Sequence, residues 1–264
     1  MKLLTMLAAG IATLSAGLVK AQPASGNITY EAMQKIDMSQ MRIVINGQEV
    51  KPGSPDAPAD IPDVRSFSMK LTFAGNYGKE EREGANMVVR RFVGGDGPGA
   101  GAAPQVTNLG RPFDETVYVD MADKKYVTVL AVKKDNDTKT YRAEKTYVKT
   151  PGWQDSDQTK KIAGFTCRKA TVPFRNETYT VWYTTDLPFT YSPINGLAPE
   201  KGVVLQIESN RESFRATKVD QKSVSAKDVQ PNEQALTVTQ EQLDDLRHKA
   251  LADFRQRMMA DEPR

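Results

Sequence analysis

The sequence predicts a mainly β protein: a single antiparallel, strongly curved sheet or half-barrel with a C-terminal amphipathic helix. Three observations lead there. Apolar residues alternate with polar ones through most of the chain up to about residue 225, and the alternating runs are separated by short turn-forming pairs. From Thr239 onward the apolar period changes from two to that of a helix.

The clearest strand is ETYTVWYTT, where Tyr179, Val181 and Tyr183 fall on one face and Thr178, Thr180, Trp182 and Thr184 on the other. FTCRKATVPF precedes it and joins it through Arg175 and Asn176, the signature of a hairpin. TVYVDMADKKYVTVLAV repeats the pattern around Ala122 and Asp123, and GVVLQIESNRESFRATKV repeats it around Ser209 and Asn210. With NITYEAM, FSMKLTF and NMVVRRF added, about eight to ten strands follow, linked mainly as a meander.

Two stretches read as flexible insertions. Residues 51–63 hold Pro52, Pro55, Pro58 and Pro62, which cannot donate to a strand ladder. Residues 94–104 are glycine-rich but lack the Lys-Ser/Thr ending of a phosphate-binding loop. In the tail, Leu243, Leu246, Ala250, Leu251, Phe254 and Met258 recur at helical spacing, and Thr239 with Gln242 forms a capping box. The face formed by these residues suits packing on the sheet, or docking to a partner.

At the other end, Lys2 precedes an apolar run from Leu3 to Val19, and Val19 and Ala21 frame a cleavage site before Gln22. Residues 1–21 are therefore read as a secretory signal peptide, which makes the processed chain a periplasmic or otherwise secreted, soluble protein. Removing Lys2 and Lys20 takes the 36 basic residues to 34 against 33 acidic, a net charge of +1. A nearly neutral chain has no global electrostatic reason to bind nucleic acid or an anionic membrane. No later segment is apolar enough for a transmembrane anchor. The organisation expected is a signal peptide at 1–21, a β-rich domain at 22–225, and a linker with the terminal helix at 226–264.

Enzyme chemistry finds little support in the residues. His248 is the only histidine and lies on the polar side of the tail helix, far from the demands of a triad. Cys167 is the only cysteine, which excludes an intramolecular disulfide, and its place in an alternating strand suits a small buried apolar residue. No cluster of Cys and His invites zinc, and DNDTKTYRAEKT departs from a calcium loop at Lys139, Thr140 and Thr146. No metal or cofactor is expected. The carboxylates are numerous, but no spacing singles out an acid pair.

The passages KIAGFTCRKA and YTVWYTTDLPFTYSPINGLAPEKGVVLQIE together resemble the GLPGLI family of secreted Bacteroidetes proteins, loosely over residues 27–222 and specifically over 161–209. GNITYEA and FSMKLTF resemble that family's first strands. In the naming motif this chain differs, with Ala198, Pro199, Glu200 and Lys201 standing between Gly196-Leu197 and Gly202. The resemblance implies export to the envelope, a β-rich fold similar to the bowl-like domain preceding some bacterial glycosidases, and no established catalytic residues.

Residues 183–209 hold the most distinctive local sequence. Pro188 and Pro193 limit the connecting chain, while Gly196 and Gly202 allow backbone geometries denied to other residues. The expected site is the rim or wall of an apolar concavity formed by Trp182, Tyr183, Pro188, Pro193, Gly196, Leu197 and Gly202. The function expected is that of a noncatalytic binding or interaction module for an envelope protein, a peptide or an apolar ligand. Two alternatives stand beside it: a hydrolase with a carboxylate-based site, and a structural partner of an outer-membrane complex.

Overall fold

The computed structural model describes residues 25–38, 43–45, 48–51, 54–55, 63–83, 87–93, 103–134, 137–231 and 233–260. The signal peptide read at 1–21, and most of the insertions at 51–63 and 94–104, lie outside these residues.

The strands are β1 (Ser25–Lys35), β2 (Ile43–Ile45), β3 (Gln48–Val50), β4 (Val64–Ala74), β5 (Tyr77–Arg82), β6 (Met87–Val93), β7 (Ala103–Gly110) and β8 (Phe113–Asp120). They continue with β9 (Lys125–Lys134), β10 (Asp137–Thr146), β11 (Gln154–Ile162), β12 (Phe165–Phe174), β13 (Glu177–Thr184), β14 (Val203–Glu208), β15 (Glu212–Gln221) and β16 (Leu236–Thr237), before helix α1 (Gln240–Ala260). Twelve of them form one open sheet in the order β11-β12-β13-β14-β15-β1-β4-β5-β8-β9-β10-β16. Neighbours pair antiparallel, except that β16 joins β10 in parallel. The strand number exceeds the eight to ten read from sequence, because β2, β3 and β16 are only two or three residues long and the strands β5, β10 and β11 are mostly polar and carry too little alternation to register, while β7 also went unread.

The sheet is a meander cut and rejoined: β15 returns to pair with β1, so the C-terminal half extends the N-terminal half sideways. Tight turns set the registers. Arg175 and Asn176 both adopt positive φ (50° and 64°) between β12 and β13, the geometry that matches the twist of a two-residue hairpin. Ala163 and Gly164 do the same between β11 and β12.

Curvature follows from connectivity. In a flat sheet, the ten steps from β10 to β11 would separate these strands by about 48 Å at about 4.8 Å per step. The connection from Thr146 to Gln154 reaches about 29 Å at most. The sheet must therefore curl until its first strand approaches its eleventh, without closing.

Its inner face carries the core. Ile28 pairs with Leu71 and Tyr30 with Met69, all with no exposed surface, and the same face continues through Glu80 of β5 and Val119 of β8. On the other side it continues through Phe214, Ile207, Val181 and Ala170. At one end of β8–β10, α1 lies on the same face: Leu243 is fully buried against Leu130 and Ala143, and Arg247 bonds Glu115 at 2.8 Å. The capping box forms as read, with the Gln242 N–H donating to Thr239 Oγ1 at 3.1 Å and the Thr239 N–H to Gln242 Oε1 at 2.9 Å.

Candidate functional site

The segment between β13 and β14, residues 185–202, has almost no regular structure, yet it is packed as core. Leu187, Phe189, Tyr191, Ile194 and Leu197 are all buried in the main cluster. It crosses the inner face of the sheet. Phe189 meets Phe73 of β4 with ring centroids 4.7 Å apart, Tyr191 meets Tyr30 of β1 at 6.4 Å, and Gly196 lies against Phe174 of β12.

A coil in such a place must find partners for its peptide groups. The Tyr191 N–H donates to Gly202 O at 3.2 Å and the Val204 N–H to Tyr191 O at 2.9 Å, closing the segment on itself. The Leu197 N–H donates to Ile194 O at 3.0 Å. From the β10–β11 connection, Tyr147 Oη donates to Ala198 O at 2.6 Å and the Thr150 N–H to Gly196 O at 3.2 Å. Gly202 has φ +111°, and a Cβ there would stand 2.4 Å from Thr184 O, so only glycine fits the return into β14.

Beneath the segment, Tyr191 Oη donates to Glu80 Oε1 at 2.8 Å and Tyr30 Oη donates to Val204 O at 2.8 Å. Burial pushes the Glu80 carboxyl above its usual range, against the opposing effects of Arg82 and the Tyr191 hydrogen bond. Burial, and then the nearby Glu80, pushes the Tyr191 and Tyr30 hydroxyls well above theirs. The second buried carboxylate, Glu212, is engaged separately, accepting from Gln34 at 2.9 Å, Tyr179 at 3.1 Å and Arg175 at 3.3 Å.

The seven residues read from sequence as a rim or wall fall in different places. Pro193, Gly196, Leu197 and Gly202 are buried in the segment, and Pro188 faces solvent. Trp182 pairs with Gln206 on the opposite face, where Lys160 sits 4.0 Å from its ring centroid and Lys169 at 5.9 Å. The hollow expected beside Trp182 is therefore occupied by the segment itself, because its own apolar side chains supply the burial that the inner face requires.

Tyr183 alone of the seven lines an open cleft of about 400 Å³, next to the point where the segment re-enters the sheet. Trp153 forms the other aromatic wall, its ring 6.1 Å from that of Tyr183 and steeply inclined to it at 80°. Tyr183 Oη donates to Asp155 Oδ1 at 2.8 Å, and burial together with that carboxylate raises the pKa of the hydroxyl. Lys149 and Glu200 pair at 3.7 Å, with Lys201 and Thr185 beside them. Sequence reasoning missed Trp153, Lys149, Asp155, Glu200 and Lys201. The available signal was Trp153 in TPGWQD, a large aromatic placed in a Pro-Gly turn before a polar strand.

Cys167 is buried, and burial pushes its thiol up to about 11, while His248 is exposed on α1. Among the described residues, no group of three His, Cys, Asp or Glu side chains converges as a metal site. Nor is any described helix long and apolar enough to cross a membrane.

Residues 105–250, more than half of the chain, match the family described as N-glycanase peptide, N-terminal domain. The chain belongs to this family. The matched stretch contains residues 161–209, the passage that resembles GLPGLI proteins. Two crystal structures of PNGF-II share the fold. The one in a C2 space group has a TM-score of 0.52 at 13% identity over 86% of this chain and 33% of that one. The one in P21 has a TM-score of 0.50 at 14% identity over 87% and 34%. The chain thus spans about a third of the PNGF-II chains it matches. No curated protein sequence matches it.

Proposed function

We propose that the chain is an exported, noncatalytic binding module of the cell envelope, with the cleft beside Trp153 and Tyr183 as its ligand side. The observation that carries this reading is the cleft itself: an aromatic pair flanked by charged and polar side chains, on walls tied together by the Tyr147–Ala198 and Thr150–Gly196 bonds. Such preorganised concavities bind without the cost of ordering their walls. The family's description as the N-terminal domain of an N-glycanase fits an accessory role beside a catalytic partner. The buried carboxylates favour binding over hydrolysis, because Glu80 and Glu212 are each consumed by separate hydrogen bonds from the core. Export rests on Lys2 and the apolar run that ends at Ala21.

Native mass spectrometry of the protein isolated from its own envelope tests the reading. A bound species present in the wild type and absent from Trp153→Ala is expected, on a chain that begins at Gln22. Hydrolytic activity lost in Glu80→Gln would overturn it in favour of a carboxylate enzyme.

A further inference from the structure

The geometry points to a neutral sugar ring as the occupant of this cleft, stacked on Trp153 with its hydroxyls on Asp155, Glu200 and Lys149. This rests on the cleft being the binding side, and names its ligand class.

The lining narrows the choice. Lys149 and Lys201 are balanced by Asp155 and Glu200, so neither an anion nor a cation gains from the site as a whole. An apolar ligand would strip water from four charged side chains without returning hydrogen bonds, which is costly. A sugar ring presents an apolar C–H face and a rim of hydroxyls that both donate and accept. The half-buried Trp153, held edge-to-face by Tyr183, offers a flat surface for the first. Asp155 spends one oxygen on Tyr183 and retains acceptor capacity, as does the exposed Glu200, while Lys149 supplies donors.

A peptide is the competing occupant, and β11 is the sheet edge on which it would have to pair. That edge breaks register between Asp155 and Thr159 and bears Asp155, Asp157, Lys160 and Lys161, features that oppose strand addition. The cleft is a short cup at the start of β11, suited to one or two rings rather than to an extended strand.

The full chain carries two tryptophans, so its indole N–H region in a ¹⁵N spectrum holds two resonances, which Trp153→Phe assigns. Titration with methyl glucoside, lactose and cellobiose is expected to move the Trp153 resonance saturably and leave Trp182 in place. Asp155→Asn and Glu200→Gln, both shape-preserving, should each weaken that binding about tenfold, the effect of losing a hydrogen bond to a charged group. If the sugars leave Trp153 unmoved while a blocked Ala-Gln-Ala peptide or octanoate moves it, the sugar inference fails and the cleft stands as a site for another ligand. If none of the sugars, the peptide or octanoate moves it, the cleft reading fails as well. A sugar response unchanged in Asp155→Asn and Glu200→Gln would also overturn the inference, because binding would lie elsewhere.

Discussion

Two elements cover the inner face of the sheet, and they do so by opposite means. Helix α1 satisfies its own backbone and contributes a narrow stripe, chiefly Leu243 and Leu246, to a small cluster with Leu130 and Ala143. The 185–202 segment has no such internal ladder, yet it buries three aromatic or large aliphatic side chains without residual exposure beyond 2%, Leu187, Tyr191 and Leu197, in the main core. Its peptide groups are satisfied by a few long-range bonds and by the parallel bridge between Tyr191 and Val203. Regularity and contribution to stability are thus separate properties. The irregular element is the structural one, and the helix is closer to an accessory.

The difference can be broken by mutation. Tyr191→Ala should have the largest effect, about 3–5 kcal/mol for removal of a fully buried aromatic, and it also leaves Glu80 without its donor. Leu243→Ala should cost less, about 2–3 kcal/mol, since the small cluster around it can partly collapse. Denaturation midpoints compare the two, and the reverse order would make the helix the principal cover. Thr239→Ala, which removes one arm of the capping box, should cost about 1 kcal/mol and should leave the exchange protection of the segment unchanged.

The smallest effect is expected from Glu80→Gln, and it depends on pH. Burial raises the folded-state pKa of Glu80 above the usual 4.5, so the folded protein holds a proton that the unfolded chain releases. Stability from this group is fully present below 4.5 and declines as pH rises through the folded pKa. Glu80→Gln should remove that decline and gain on the wild type toward neutral pH. Parallel curves for the two proteins, measured by thermal melts across the range, would show that Glu80 does not titrate under the segment.

The same contrast governs what could be read from sequence. Helix α1 was legible through its period and its Thr239–Gln242 cap, because both signals are local. The hairpin at Arg175–Asn176 was legible for the same reason. In the segment, Leu187, Phe189, Tyr191, Ile194 and Leu197 follow no fixed period, so their common burial depends on contacts with β1, β4, β5 and β12 that no local pattern encodes. Its glycines were legible as special backbone positions, and Gly196 and Gly202 do take positive φ. Alternation sets Trp182 and Val181 on different faces but does not say which face is the inner one, and Trp182 is itself buried in the main cluster. The cleft was illegible because Trp153 and Tyr183 are thirty residues apart and meet only across the paired strands β11, β12 and β13, whose register no local pattern encodes.

Native-state hydrogen exchange tests the central claim most directly. The amides of Tyr191, Leu197 and Val204 are expected to exchange only through the global opening that frees Tyr30 and Leu71, while the second half of α1 exchanges at lower free energy. Exchange of those three amides at the low free energy of a surface loop, with Tyr30 and Leu71 still protected, would contradict it and show that the segment is not part of the core's cooperative unit.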